Sequence, residues 1–168
     1  MTVCLVHADS RARSESDTHL YLGFERTDML RGEFESAGDL SPTALHEAYL
    51  DRLRETIEAV GVETVARRSG VDEGIIAGLS AGESPELTLE AAAAILSADP
   101  ELPSGEHVAA EARDILLMGM TTAVVDVDAV AAGIDLDVDP KEIQQKVEGR
   151  HPVTLAEYAH VHSFLEHQ

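Results

Sequence analysis

Cysteine is the first shortage in this sequence. Cys4 is the single one in 168 residues, which excludes an internal disulfide and a cysteine-based zinc site. Long apolar runs are missing too. The longest candidates, Val3–Val6 and Ile115–Val125, fall far short of the roughly 20 residues a membrane helix needs, and the second is interrupted by Gly119, Thr121 and Thr122. No basic stretch followed by an apolar segment opens the chain, so no signal peptide is visible. A cytoplasmic location is expected. Catalytic signatures are lacking as well: there is no G-x-S-x-G, no phosphate-binding glycine loop and no H-E-x-x-H. No enzyme, cofactor or small-molecule substrate is expected.

Lysine is scarce too. Lys141 and Lys146 are the two present, and arginine raises the basic total to 12 against 32 Asp plus Glu, for a net charge of −20. Acid excess with little lysine, few aromatics and abundant Ala and Val resembles the composition of haloarchaeal proteins adapted to a salt-filled cytoplasm. A DNA mimic, or an acidic partner of something basic, would carry the same charge; salt adaptation is the broader explanation. Net charge bears on solubility and association rather than on fold. At 1 M salt the Debye length is about 3 Å, so this charge neither repels nor steers a partner from afar. With so many carboxylates, close pairs of acids arise by chance and point to no chemistry.

What the chain does have is helical punctuation. Residues 1–28 are polar and aperiodic between short apolar fragments. They read as a poorly structured extension, or as lying upstream of a natural start at Met29. From Ser41 the pattern is regular. Ser41 N-caps a helix with Pro42 at its first position. Leu45, Tyr49, Leu53, Ile57 and Val60 make one apolar stripe, and Gly61 stops it. A short helix follows over 62–69, ending at Gly70. Asp72 caps another that stops at Gly82. After Pro85, Thr88 caps a helix through Leu96, with Leu89, Ala92, Ala93 and Leu96 inward. Residues 98–105 hold two prolines and a glycine and read as a linker.

The same order then returns. A long helix runs over 106–123. Asp126 caps a short helix, Asp139-Pro140-Lys141-Glu142 starts another that stops at Gly149, and Thr154 with Glu157 forms a capping box on the last. Val65-Ala66 matches Val130-Ala131, Gly82 and Pro85 match Gly149 and Pro152, and Thr88-Leu89 matches Thr154-Leu155. The expected architecture is therefore all-α. It has two tandem helix-turn-helix-like units of about four helices, 29–97 and 106–168, packed into one compact helical body.

Val65, Ala66, Gly70, Val71, Ile76 and Leu79 make the first unit resemble the helix-turn-helix of the lambda-repressor-like fold. A small residue at Ala66 suits the crossing of two helices, and Gly70 suits a turn with positive φ. That resemblance implies a second short helix able to enter a DNA groove. The residues there argue against it. Its outward positions, Asp72, Glu73, Gly74, Ala77 and Gly78, offer carboxylates and small side chains where base reading needs Arg, Lys, Asn or Gln. Arg67 and Arg68 can touch phosphates, which positions a protein without specifying a sequence. The second unit has Asp135 in place of Gly70 but carries a better reading set: Lys141, Gln144, Gln145, Lys146 and Arg150. A solvated helix face explains the same five residues more simply.

Over most of 29–168 the chain also resembles an uncharacterised haloarchaeal family of unknown function. The resemblance rests on Met29-Leu30-Arg31-Gly32-Glu33-Phe34, on Gly82-Glu83-Ser84-Pro85-Glu86-Leu87-Thr88-Leu89 and on Leu117-Met118-Gly119-Met120-Thr121-Thr122-Ala123. It implies no activity, and it favours Met29 as the start. Eight histidines include no compact metal-ligand set: His160 and His162 do not share a helix face. Helix-end charge and partial packing are their expected roles. Met118 and Met120 offer a pliable binding surface, although such residues more often fill a helix interface. The expectation is a non-enzymatic binding protein with a protein partner, an interaction or regulatory adaptor. The alternative is a sequence-specific DNA-binding regulator using the second unit.

Overall fold

A computed structural model describes residues 37–168. The extension at 1–28 and the stretch Met29–Phe34 lie outside the described residues. After a short 3-10 turn at Ala37–Asp39 come eight α-helices: α1 (Pro42–Val60), α2 (Val62–Ser69), α3 (Glu73–Ser80), α4 (Leu89–Leu96), α5 (Gly105–Ala123), α6 (Val127–Gly133), α7 (Pro140–Val147) and α8 (Leu155–Glu166). The described chain is all-helical and compact, as the periodicity required. Helix bounds fall within about a residue of the caps and stops because those caps are local. The Ser41, Asp72, Thr88, Asp126, Asp139 and Thr154 side chains each accept a backbone N–H from two or three residues on. Thr154 and Glu157 close the capping box in both directions, which satisfies two of the donors a helix start leaves unpaired.

The apolar stripe of α1 is buried at Leu45, Tyr49, Leu53 and Ile57, with Leu50 joining them. No single described helix is long and apolar enough to cross a membrane. Helices α5 and α6 pass that test together, but they meet at 97°.

The order of the first four helices repeats in the last four, and so do their contents. Helices α1 and α5 are each 19 residues long and N-capped by a serine, Ser41 or Ser104. Helices α3 and α7 are N-capped by Asp72 and Asp139, and each buries its fourth and seventh residues: Ile76 and Leu79, then Ile143 and Lys146. Helix α4 buries Leu89, Ala92, Ala93, Ile95 and Leu96. At the matching places α8 buries Leu155, Tyr158, Ala159, Val161 and His162.

The halves are interleaved rather than adjacent. Helix α8 lies mainly on α1, and α4 mainly on α5, so each half's threonine-capped helix packs on the other half's long helix. A reciprocal pair of hydrogen bonds joins them. Leu89 N–H donates to Val153 O and Leu155 N–H donates to Leu87 O, both at 2.8 Å, flanking an antiparallel bridge between Thr88 and Thr154. Exchanging the halves turns one bond into the other. The side chains beside these bonds compensate in size. Tyr49 on α1 shares a crevice with Ala92 of α4, while Tyr158 of α8 donates its hydroxyl to Ala112 O of α5 at 3.0 Å. Ala112 stands at the eighth position of α5, as Tyr49 does in α1.

Candidate functional site

The basic and amide side chains singled out in the sequence do not form one surface. Arg68 donates to the carbonyl of Ala98 at 2.8 Å, tying α2 to the turn after α4. Arg67 is exposed and lies 3.6 Å from Glu63 on its own helix. On α7, Lys141 and Gln144 face solvent and Gln145 is half-buried. Gln144 donates to Glu148 at 3.1 Å, and Arg150 pairs with Glu148.

Lys146 departs from the solvated-face reading. It is 8% exposed and its Nζ lies 2.7 Å from Glu142 and 2.5 Å from Glu157. It occupies the place Leu79 takes in α3, so the core of the second half closes over a charge. Burial works against that charge. The hydrogen bonds to Glu142 and Glu157 outweigh burial and hold the lysine pKa above its usual value. Glu157 is likewise opposed by burial, but Lys146 and the Thr154 backbone bring its pKa down. Such a pair holds α7 to α8 and leaves no ammonium for a phosphate or a base edge. Of the positions expected to face outward around α3, Asp72, Glu73, Gly74 and Ala77 are exposed and Gly78 is half-buried.

The histidines divide. His162 turns into the core, where its Nδ1 lies 2.5 Å from the Tyr49 hydroxyl, and the rings of Tyr49, Tyr158 and His162 pack together. Of the two roles expected for the histidines, helix-end charge and partial packing, this position takes packing. Burial lowers the His162 pKa to about 4 and raises those of Tyr49 and Tyr158. All three side chains are therefore neutral at pH 7. The Tyr49 hydroxyl and His162 Nδ1 share a hydrogen bond whose direction follows the imidazole tautomer, and His162 Nε2 lies 3.7 Å from Glu166. His167 bonds the Ser163 carbonyl at 2.6 Å. Among the described residues no group of three or more His, Cys, Asp or Glu is placed to hold a metal.

The other notable surface is the corner where α5 meets α6. Leu117, Met118 and Val124 are the large apolar side chains left exposed among the described residues, at 42%, 54% and 90%. Met118 is thus a surface residue rather than interface filling, while Met120 is half-buried against the core. Val124 is the C-cap of α5 and sits in the left-handed region, φ 56°, ψ 42°. It is the one non-glycine described residue with positive φ. For a β-branched residue this is a true outlier, costing on the order of 1–3 kcal/mol. The C-cap of α1 is Gly61, also at positive φ but in a different, extended conformation, φ 94°, ψ 141°, which glycine adopts with no Cβ to clash.

The comparison of α1 and α5 extends along the corner. The thirteenth residue is Arg54 in α1 and Leu117 in α5; the fourteenth is Glu55 or Met118. Arg54 ties its helix down by pairing with Asp51 at 2.7 Å and donating to the carbonyls of Leu79 and Glu83 at 3.2 and 3.0 Å. Asp114 stands on α5 where Asp51 stands on α1. With leucine in the place of the arginine, Asp114 has no ion-pair partner among the described residues. Sequence reasoning reached Met118 through methionine's pliability. Leu117 and Val124 escaped it because apolar residues at a helix end read as core.

Residues 45–168 match the model of one family, described as a family of unknown function (DUF5791). No curated protein and no solved structure matches the chain.

Proposed function

The chain belongs to the DUF5791 family, and from that premise, which assigns no activity, we propose that it is a non-enzymatic protein-binding module whose docking face is the α5–α6 corner. The observation that carries this reading is Val124. A valine held in a strained left-handed conformation, almost wholly in solvent, occupies a helix end where the other half of the same chain has glycine. Strain of that kind persists where the side chain is needed. Leu117 and Met118 beside it extend the apolar surface, and exposed apolar patches mark interaction sites.

We read each half as a degenerate helix-turn-helix unit and the two halves as a duplication. Buried Val65, Ile76 and Leu79, with Gly70 at φ 71°, support the first. The repeated caps and reciprocal bonds support the second. The base-reading function is the part that has gone, since Lys146 and Arg68 are engaged within the fold. The acid excess belongs to a haloarchaeal, cytoplasmic setting in this reading, and it tunes solubility rather than partner choice. A second reading, sequence-specific DNA binding, draws on Lys141 and Gln144, which stay exposed on one side of α7.

One pair of experiments separates the two. A photo-crosslinking residue at position 118, in cells at native salt, is expected to give a discrete protein adduct that a Leu117→Glu change removes. Chromatin immunoprecipitation is expected to give a flat profile. Sharp peaks sharing a motif and lost on charge reversal at Lys141 and Arg150, with no adduct at 118, would overturn the protein-binding reading in favour of DNA.

A further inference from the structure

Resting on the docking face just described, we propose that its occupant is a cationic amphipathic helix of another protein, one per chain, whose Arg or Lys takes the place beside Asp114 that Arg54 takes beside Asp51. The two long helices supply the argument as an internal control. Both carry an aspartate at the tenth position, Asp51 and Asp114, and both are exposed. In α1 the aspartate meets Arg54 one turn on, at 2.7 Å, and Arg54 is also held by Glu47 at 3.5 Å. That face of α1 is closed by its own chain. In α5 the cation is replaced by Leu117, the aspartate is left with no ion pair among the described residues, and apolar surface opens next to it.

The corner therefore offers a centre of Leu117, Met118 and Val124. Asp114 stands one turn before Leu117 and Met118 on α5, and Asp128, exposed and also with no ion pair among the described residues, follows Val124 by four residues at the start of α6. An apolar stripe flanked by cations complements this arrangement. A second copy of the chain does not: its own corner would set Asp114 and Asp128 against like charges, which costs rather than gains. Because the matching face of α1 is occupied by Arg54, Glu55 and Glu58, the chain offers the site once despite the repeated order of its helices.

The test uses the full chain and three synthetic peptides in 0.15 M salt, a concentration of roughly one 8 Å Debye length at which a rim charge still counts. One peptide carries leucines at i, i+3, i+4 and i+7 with arginines flanking the stripe. The second has the arginines changed to glutamates. The third has the first peptide's composition scrambled, so that general attraction to an acidic protein is measured separately. The expected result is 1:1 binding of the first peptide, with the other two about ten-fold weaker or worse, a difference near 1.4 kcal/mol. Asp114→Asn is expected to weaken it on the order of five-fold, the scale of one ion pair. Leu117→Arg, which recreates the arrangement of α1 and supplies Asp114 with a partner, is expected to abolish binding while circular dichroism and melting temperature hold or rise.

If the first two peptides bind alike and both are lost in Leu117→Arg, the docking face stands and its cationic partner is wrong. Binding of the first peptide that ignores Leu117→Arg overturns the face as well. If no peptide binds, the proposal is overturned; concentration-dependent association in sedimentation, lost in Leu117→Arg, would then assign the face to a second copy.

Discussion

At single residues the fold accepts two costs, and they have different meanings. Val124 faces solvent, so the strain of its backbone is not returned by burial. Val124→Gly is expected to raise stability by about 1 kcal/mol, read as a shift of the urea midpoint at constant slope. A loss would mean that the valine side chain packs on the fold after all. His162 is the opposite case, a polar ring whose burial is offset by Tyr49. Its pKa falls from 6.5 to about 4 on burial, so the unfolded chain takes up a proton before the folded one does. The stability tied to neutral His162 is complete above pH 6.5 and drains as pH falls towards 4, by at most about 3 kcal/mol. Urea unfolding across that window should show the decline. It should flatten in the Tyr49→Phe/His162→Leu double variant, which removes the histidine without orphaning the hydroxyl. Glu157, whose pKa is also depressed, loses stability in the same direction but at lower pH.

At the scale of one helix, α3 and α7 share a plan with one residue exchanged. Both start at a capping aspartate and bury an isoleucine at the fourth position, but the seventh is Leu79 in one and Lys146 in the other. Removing one partner of a buried pair leaves the other uncompensated. Lys146→Ala is expected to cost about 3 kcal/mol in chemical denaturation. Lys146→Leu combined with Glu157→Gln, which restores the chemistry of α3 and keeps an oxygen for the Thr154 N–H, should lie within about 1 kcal/mol of the parent. If that double variant is as unstable as the alanine, the pair does more than hold α7 to α8.

The whole molecule is held by exchange between halves. Since α4 packs on α5 and α8 on α1, cutting the chain leaves each half with an uncovered apolar stripe. Residues 37–103 expressed alone are expected to lack cooperative thermal unfolding as a monomer, by circular dichroism with sedimentation. A folded monomeric half would show that the interleaving is incidental. A net charge of −20 repels itself in the folded state, and salt screens it. The melting temperature should therefore climb by several degrees between 0.1 and 2 M KCl. A flat response would remove the salt-adaptation reading.

Helix starts and stops were legible in the sequence because their causes lie within three residues. Ser41, Asp72, Thr88 and Thr154 accept from the backbone just ahead of them, and Gly61, Gly70 and Gly149 supply the positive φ that ends a helix or turns the chain. The repeated order of caps and stops was legible for the same reason. The sides the helices present were not. Lys146 read as solvated and is buried against Glu142 and Glu157; for His162 helix-end charge and packing were both open, and it lies against Tyr49. Leu117 and Val124 were given no separate role and face solvent. The spacing of apolar residues defines a stripe but not what covers it. The covering groups come from other helices: the next one, α8, for Lys146, the distant α1 for His162, and for Leu117 no described residue. Sequence alone thus determined the helices and their order. Only the packing of helix on helix decided which charge is buried and which apolar corner is left open.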